Sequence, residues 1–500
     1  MSTRIANGNT RLSEPSSPSL SSPLSSFLLS FWPRVREFAV PAAMIETATA
    51  RRLAGDWAGA CAAAGVDVDL ELRSVLRDYG RDTAARLRSD LRHLAPDLLR
   101  WHMPRIAPDG LLRPGLTLAL AKYGGGERGC KGRLHLVVRT PPAWADAGQR
   151  ISLGLWDGAS NPHPHPHTHP HPHPRPSRRF RFDLHRHLWD ARRAGELRIR
   201  AGGGLPGGDL PGLDPDLLGT LPYGRGCAVD RWAHEARLLL RAEGRSARAV
   251  LVRLGGRRRL VLELEGDRDE GGCGVGGAGP AAMRIAAATK RSAGALPVLP
   301  DAATWVLPDL ELLRTGAVDA DRLHPLVAAA LVPDRPPPSR PSRPSRPSPD
   351  PDRTGQPRLV ECRGARHRIG PVDGVLAPLD HDPAEIQREE LLAALTGTPL
   401  PCLQAIDEAH RHPECLPDVR ERLCHGDTAG ALAVVEGLLG PDAVLRDGAL
   451  RDELQAAARR RLTYGLFRAG LIGPGPGRIR YDERGRPRER RGHPRHAALR

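Results

Sequence analysis

A tract of proline, serine and arginine, PPPSRPSRPSRPSPDPD over residues 336–352, limits what this chain can fold into more than any other feature. Proline fixes φ and has no amide donor, and the tract holds no Leu, Ile, Val or aromatic residue to bury, so no core can run through it. Separate folded parts must lie on either side. Other breaks divide the chain further: residues 1–40 are rich in Ser and Pro, 201–215 in Gly, Pro and Asp, 266–280 in Gly, and 163–174 read HPHPHTHPHPHP. The resulting organisation is a leader (1–40), a helical unit (41–106), a sheet domain (107–265) with a His/Pro-rich loop (160–178), a Gly-rich linker with a mixed segment (266–335), the proline linker (336–355), a mainly helical domain (356–470) and a basic tail (471–500).

Within these limits the periodicity of apolar residues sets the expected elements. Helical spacing runs from Met44 to Ala64 through Ile45, Leu53, Trp57 and Cys61, with two further helices carrying Leu72, Val75, Leu76 and Tyr79, and Ala84, Leu87, Leu91 and Leu94, closed at Pro96. After Pro104 the pattern alternates, which predicts strands at Leu116–Lys122, Arg133–Thr140, Arg150–Asp157 and Arg179–Leu184, and a hairpin of Ala249–Leu254 with Arg259–Leu264. Trp232–Arg241 reads as a helix. Beyond the proline linker a short hairpin is expected at Arg358–Cys362 and Ala365–Ile369, then helices at Pro383–Leu395, Leu400–His410, Leu416–Cys424, Thr428–Leu439 and Leu450–Phe467. The whole is an α+β protein: an N-terminal three-helix unit, a central antiparallel sheet with low-complexity insertions, and a C-terminal helical domain with a short hairpin.

Composition bounds the partners. The 500 residues carry a formal charge of +16, yet Lys occurs only at Lys122, Lys131 and Lys290. An excess of Arg spread over a chain rich in Ala, Gly and Pro reads as coding bias, although the charge still favours anionic partners. The eight cysteines form no CxxC pair, which suits a reducing compartment. Leu24–Trp32 is too short and too polar for a signal sequence, and no stretch reaches the length of a membrane span, so a cytoplasmic protein without a membrane partner is expected.

No nucleotide-cofactor motif, GxSxG elbow, HExxH helix or EF-hand loop occurs. Four groups of residues remain as candidates for chemistry. His163, His165, His167, His169, His171 and His173 are metal-ligand types, but alternating proline and the absence of a nearby thiolate make a lengthened surface loop the plainer account. Cys402, His412, Cys415 and Cys424, with His410 and His425 close by, could supply a divalent metal, although their spacing matches no zinc knuckle and helix packing explains the cysteines as well. Arg363, Arg366 and Arg368 could clamp an anion beside His367, Asp373, Asp380 and His381, which suit general acid–base or metal work. Asp382-Pro383 next to that cluster also reads as an ordinary helix start. His185 and His187 would share a face only if their segment were a strand.

The sequence favours a non-enzymatic intracellular accessory protein whose partner is another protein, because small domains and connectors occur without a catalytic signature. The alternatives are a metal-dependent or phosphate-handling enzyme using the 363–382 cluster, and nonspecific nucleic-acid binding through the basic tail and the hairpin around Arg257–Arg259.

Overall fold

The computed structural model describes residues 23–471 apart from 125–133, 147, 158–174, 202–225, 256–257, 265–282, 289–295, 335–357, 363, 373–374, 398, 412, 414, 441–443 and 446. The proline linker, the basic tail beyond Leu471 and the His/Pro repeat therefore lie outside the described residues.

The expected leader ends earlier than residue 40, because helix α1 (Pro23–Phe38) starts inside it. Phe31, Val35 and Phe38 recur at helical spacing and are buried, which outweighs the Ser/Pro bias of the preceding chain. The single helix expected over Met44–Ala64 is two, α2 (Ala42–Leu53) and α3 (Trp57–Ala63). Gly55 turns the chain at φ +80, and Asp56 caps α3 by accepting from Gly59 N at 2.8 Å. Leu53 consequently faces solvent and Trp57 is only partly buried, so their shared stripe is broken. The next two expected helices are one, α4 (Leu72–His93), kinked at Gly80. Pro96 opens α5 (Pro96–His102), occupying the first-turn position where its missing amide is not needed.

The first sheet has the order β1-β6-β5-β4. Strands β4 (Thr117–Tyr123), β5 (Leu134–Arg139) and β6 (Ile151–Trp156) are antiparallel as expected. The fourth, β1 (Val66–Asp69), comes from the helical unit and pairs parallel with β6, Val66 opposite Ile151, so the sheet is mixed. A two-residue ribbon, β2 (Arg105–Ile106) and β3 (Leu111–Leu112), precedes it. Arg179–Leu184 is not a strand. Arg181 Nε reaches Asp183 Oδ1 at 2.8 Å, and the backbone closes turns from Leu184 N to Arg181 O and His185 N to Phe182 O, so local bonds replace a ladder.

A second sheet consists of β7 (Ala249–Arg253), β8 (Arg259–Leu264) and β9 (Met283–Ala287), all antiparallel. The expected hairpin thus gains a third strand from beyond the Gly-rich segment. Between the two sheets in sequence lie α6 (Leu197–Arg200) and α7 (Val229–Glu243), the latter with fully buried Trp232 on the second sheet's core. Three short helices follow, α8 (Asp301–Thr304), α9 (Pro308–Arg314) and α10 (Pro325–Leu331).

The C-terminal part has its own core, built on Ile369, Cys402, Ile406, Val419, Leu423 and Leu439. Strands β10 (Arg358–Cys362), β11 (Ala365–Val372) and β12 (Val375–Pro378) form an antiparallel sheet, and five helices follow: α11 (Pro383–Thr396), α12 (Pro401–Arg411), α13 (Leu416–His425), α14 (Thr428–Leu439) and α15 (Ala449–Arg468). This core docks on the first sheet. Arg468 and Tyr464 of α15 bond to Asp69 and Asp67 of β1, and a Cβ on Gly426 would lie 2.0 Å from Gly148 O, so glycine alone permits the two backbones to approach there. Buried Arg100 of α5 ties the parts together, donating to Ala39 O, Gln149 O and His425 O at 3.0, 2.6 and 2.9 Å.

Candidate metal centre

Three C-terminal elements meet at one point. Cys362 ends β10, paired across the ladder with Ala365, and its side chain enters the core rather than the solvent face. Cys402 sits in the first turn of α12, also with no exposed surface. His381 occupies the link between β12 and α11, which is fixed on both sides. Asp380 accepts from Arg368 N at 2.7 Å and from its guanidinium Nη2 at 2.7 Å, while Asp382 caps α11 by accepting from Ala384 N at 2.9 Å. The link cannot swing freely, so the His381 ring is held over the two thiols.

One donor atom from each of Cys362, His381 and Cys402 lies within 4.8 Å of the other two, and among the described residues no other Cys/His/Asp/Glu group meets this condition. Cys402 Sγ is 3.6 Å from His381 Nε2. Zinc–sulfur and zinc–nitrogen bonds at the tetrahedral angle would separate those atoms by about 3.6 Å, so this edge of the triangle already fits an ion. Two thiols and an imidazole are the soft and borderline donors that zinc takes up, ahead of the hard cations that prefer oxygen. Burial, then the neighbouring Cys362 thiol, pushes the Cys402 thiol up. On the other side of the ring, His381 Nδ1 is 3.7 Å from Glu385 Oε2, a carboxylate placed one helical turn on and able to orient the imidazole.

His367 lies beside the cluster but is not one of its mutually close donors. On β11 it stands opposite Val360, its ring stacks on His381 with centroids 4.1 Å apart and planes 12° from parallel, and its buried Nδ1 has no hydrogen-bond partner.

The residues expected to carry chemistry thus separate. His367 and His381 of the enzyme-like cluster come together with Cys402 of the cysteine–histidine group, joining what the sequence reading had kept apart. Asp380 is engaged by Arg368, which holds its carboxyl down at about 2, and it is not positioned as a free base. Arg366 and Arg368 are exposed and, by strand alternation, lie on the face of β11 opposite His367, so they do not clamp an anion beside it. Cys415 packs at the edge of the core and Cys424 is exposed on α13, outside the cluster. His425 is buried at the docking surface, its ring stacked on Phe38. Burial, reinforced by Arg105 and Arg100, holds it down to about 3. Arg363, Asp373, His412 and the histidines of the repeat at 163–173 lie outside the described residues. His185 and His187 meet edge to face with ring centroids 5.7 Å apart, but on a turn rather than a strand, with His185 Nδ1 on Arg181 O at 2.8 Å and Nε2 3.2 Å from Glu235.

Cys362 is the ligand candidate that sequence reasoning missed. Its only signal is its place at the end of the expected strand, just before the turn, where a side chain on the core face points toward the following helices. No protein-family model, curated protein or solved structure matches the chain. Among the described residues no helix is long and apolar enough to cross a membrane.

Proposed function

We propose that the C-terminal domain is a metal-stabilised module in which Cys362, Cys402 and His381 bind one zinc-class ion, with the ring of His367 packed against that of His381. The mutual approach of the three donor atoms within 4.8 Å carries this reading. Both cysteines are fully buried, which suits a closed structural site better than one that must admit a substrate. An ion there would clip the β10–β11 hairpin to α12 and to the link that starts α11. Occupancy at 100 times Kd would add about 2.7 kcal/mol to the stability of the domain.

The protein-interaction reading is supported by α11 itself. None of its residues is buried, and Leu391, Leu392 and Leu395 are 68, 55 and 85% exposed. Such a run of leucines on one helix is unusual unless a partner covers it. The metal would set the start of this helix, so ion binding and docking belong to one module. Elemental analysis of the purified chain tests the first half: about one zinc per chain is expected, falling to a small fraction in Cys402→Ser. Equal metal content in the two proteins would remove the proposal.

A further inference from the structure

A cavity of about 170 Å³ lies where α1, the end of α5, the Arg179–Ala201 segment, α7 and the chain at Trp305 converge. Its walls carry more positive charge than negative. Three of its arginines are matched: Arg36 Nη2 is 2.8 Å from Asp309 Oδ2, Arg179 Nε is 2.6 Å from Asp301 Oδ1, and Arg200 Nε is 2.6 Å from Glu235 Oε1. Arg105 and Arg231 form no ion pair among the described residues. Arg105 places its terminal nitrogens on the carbonyls of Gly110 and Arg100, both at 2.9 Å, and Arg231 reaches only Trp305 O at 3.5 Å.

Unsatisfied polar atoms gather around the same space. Arg36, Arg105 and Arg231 each have a buried Nε without a hydrogen-bond partner, as do His102 at Nε2 and His187 at Nδ1. His187 is 3% exposed. The Nδ1–H of His102 faces Leu98 O and Leu188 O at 3.1 and 3.2 Å, so its free Nε2 is an acceptor and lines the cavity without binding an anion directly. Buried polar groups are almost always paired, and a cluster of five unpaired nitrogens around one cavity calls for an occupant. Burial pulls Arg105 well below its ordinary range, with Arg100 and Arg36 adding to the effect, and burial holds His102 down to about 4. Both shifts are those of groups taken out of water, and at His102 the nearby Asp309 carboxylate offsets only part of the effect.

We propose that this cavity binds a compact, doubly charged oxyanion of the phosphate class, either inorganic phosphate or the phosphoryl end of a small ester, held by Arg105 and Arg231 with His187 Nδ1 as a further donor. Two guanidinium groups outside ion-pair distance of a carboxylate, although Glu235 lies near enough to Arg231 to act on it, favour a dianion over chloride. Arginine donors fit tetrahedral phosphate oxygens, and the volume admits a phosphoryl group but not a nucleic-acid strand. None of its lining residues belongs to the metal cluster, and it is independent of that proposal.

The test uses the full chain. Protein is denatured and its released anions measured by ion chromatography and phosphorus NMR; anion-stripped protein is then titrated with inorganic phosphate at constant ionic strength, following heat and melting temperature. Either close to one phosphate-class anion per chain is released, or phosphate binds the stripped protein and raises its melting temperature where chloride does not. Arg231→Gln and Arg105→Gln should each bind at least about tenfold more weakly, the loss expected for one charged donor. His187→Gln, with a smaller weakening, is read where an arginine variant fails to fold. The exposed Arg77→Gln should bind like the parent. Neither release nor binding would overturn the proposal, as would an undiminished response in the cavity variants or a response to malonate without one to phosphate.

Discussion

Replacing Arg100 by Met should loosen the joint between the C-terminal core and the rest of the chain. The guanidinium is 1% exposed and donates to carbonyls from three separate segments, at Ala39, Gln149 and His425. Burial holds it down to about 10, and among the described residues no carboxylate is bonded to it, although Asp146 acts on it from nearby. Methionine has a similar length and no donors, so the substitution keeps much of the packing and strands three buried carbonyls. At about 1–2 kcal/mol for each unmade bond the loss is about 3–6 kcal/mol. Removing a desolvated cation gives part of this back, which leaves an expected net loss of about 2–4 kcal/mol. Urea titration followed by tryptophan fluorescence measures it. Because His425 O belongs to the C-terminal core, a separate earlier transition for that core should also appear. A loss below about 1 kcal/mol with one unchanged transition would refute the reasoning, since it would mean that the three bonds do not couple the segments.

Asp309→Asn should destabilise the chain by about 3–5 kcal/mol in the same titration, because it leaves buried Arg36 without its carboxylate and weakens the acceptor for Trp101 Nε1 at 3.1 Å; a change under about 1 kcal/mol would contradict the ion pair. His425, held down to about 3 in the fold against about 6.5 unfolded, contributes stability that is present above pH 6.5 and lost as pH falls toward 3. By pH 5 its share of the loss is about 2 kcal/mol, so His425→Gln should reduce the stability difference between pH 7 and pH 5 by that amount, and an unaltered difference would refute it.

The C-terminal helices were legible because each is punctuated locally. Asp382-Pro383 starts α11, Asp427 caps α14 by accepting from Gly430 N at 2.9 Å, and Gly397 and Gly426 stop α11 and α13 in the left-handed region. Elements defined by distant partners were not. Strand β1 is four residues with two aspartates, and only its parallel pairing with β6 makes it a strand. Helix α1 was hidden by the serines and prolines around it. The metal candidates show the same division: His367, His381 and Cys402 were noticed as residue types, but separately, because the link from β12 to α11 that carries His381 across to α12 is set by the Arg368–Asp380 clasp. The cationic cavity was invisible in sequence, since its arginines are spread from Arg36 to Arg231 among many that are merely solvated.

The most direct test of the metal account is titration of the reduced, metal-free chain with cobalt(II), read by absorption. Tetrahedral coordination by two thiolates predicts intense d–d bands and sulfur-to-cobalt charge transfer that saturate at one ion per chain. Charge transfer should fall by about half in Cys362→Ser and in Cys402→Ser and vanish in the double variant, while His381→Ala should weaken binding and keep the thiolate band. A spectrum of hexaquo cobalt throughout the titration, or thiolate bands that persist in the double variant, would contradict the proposed site.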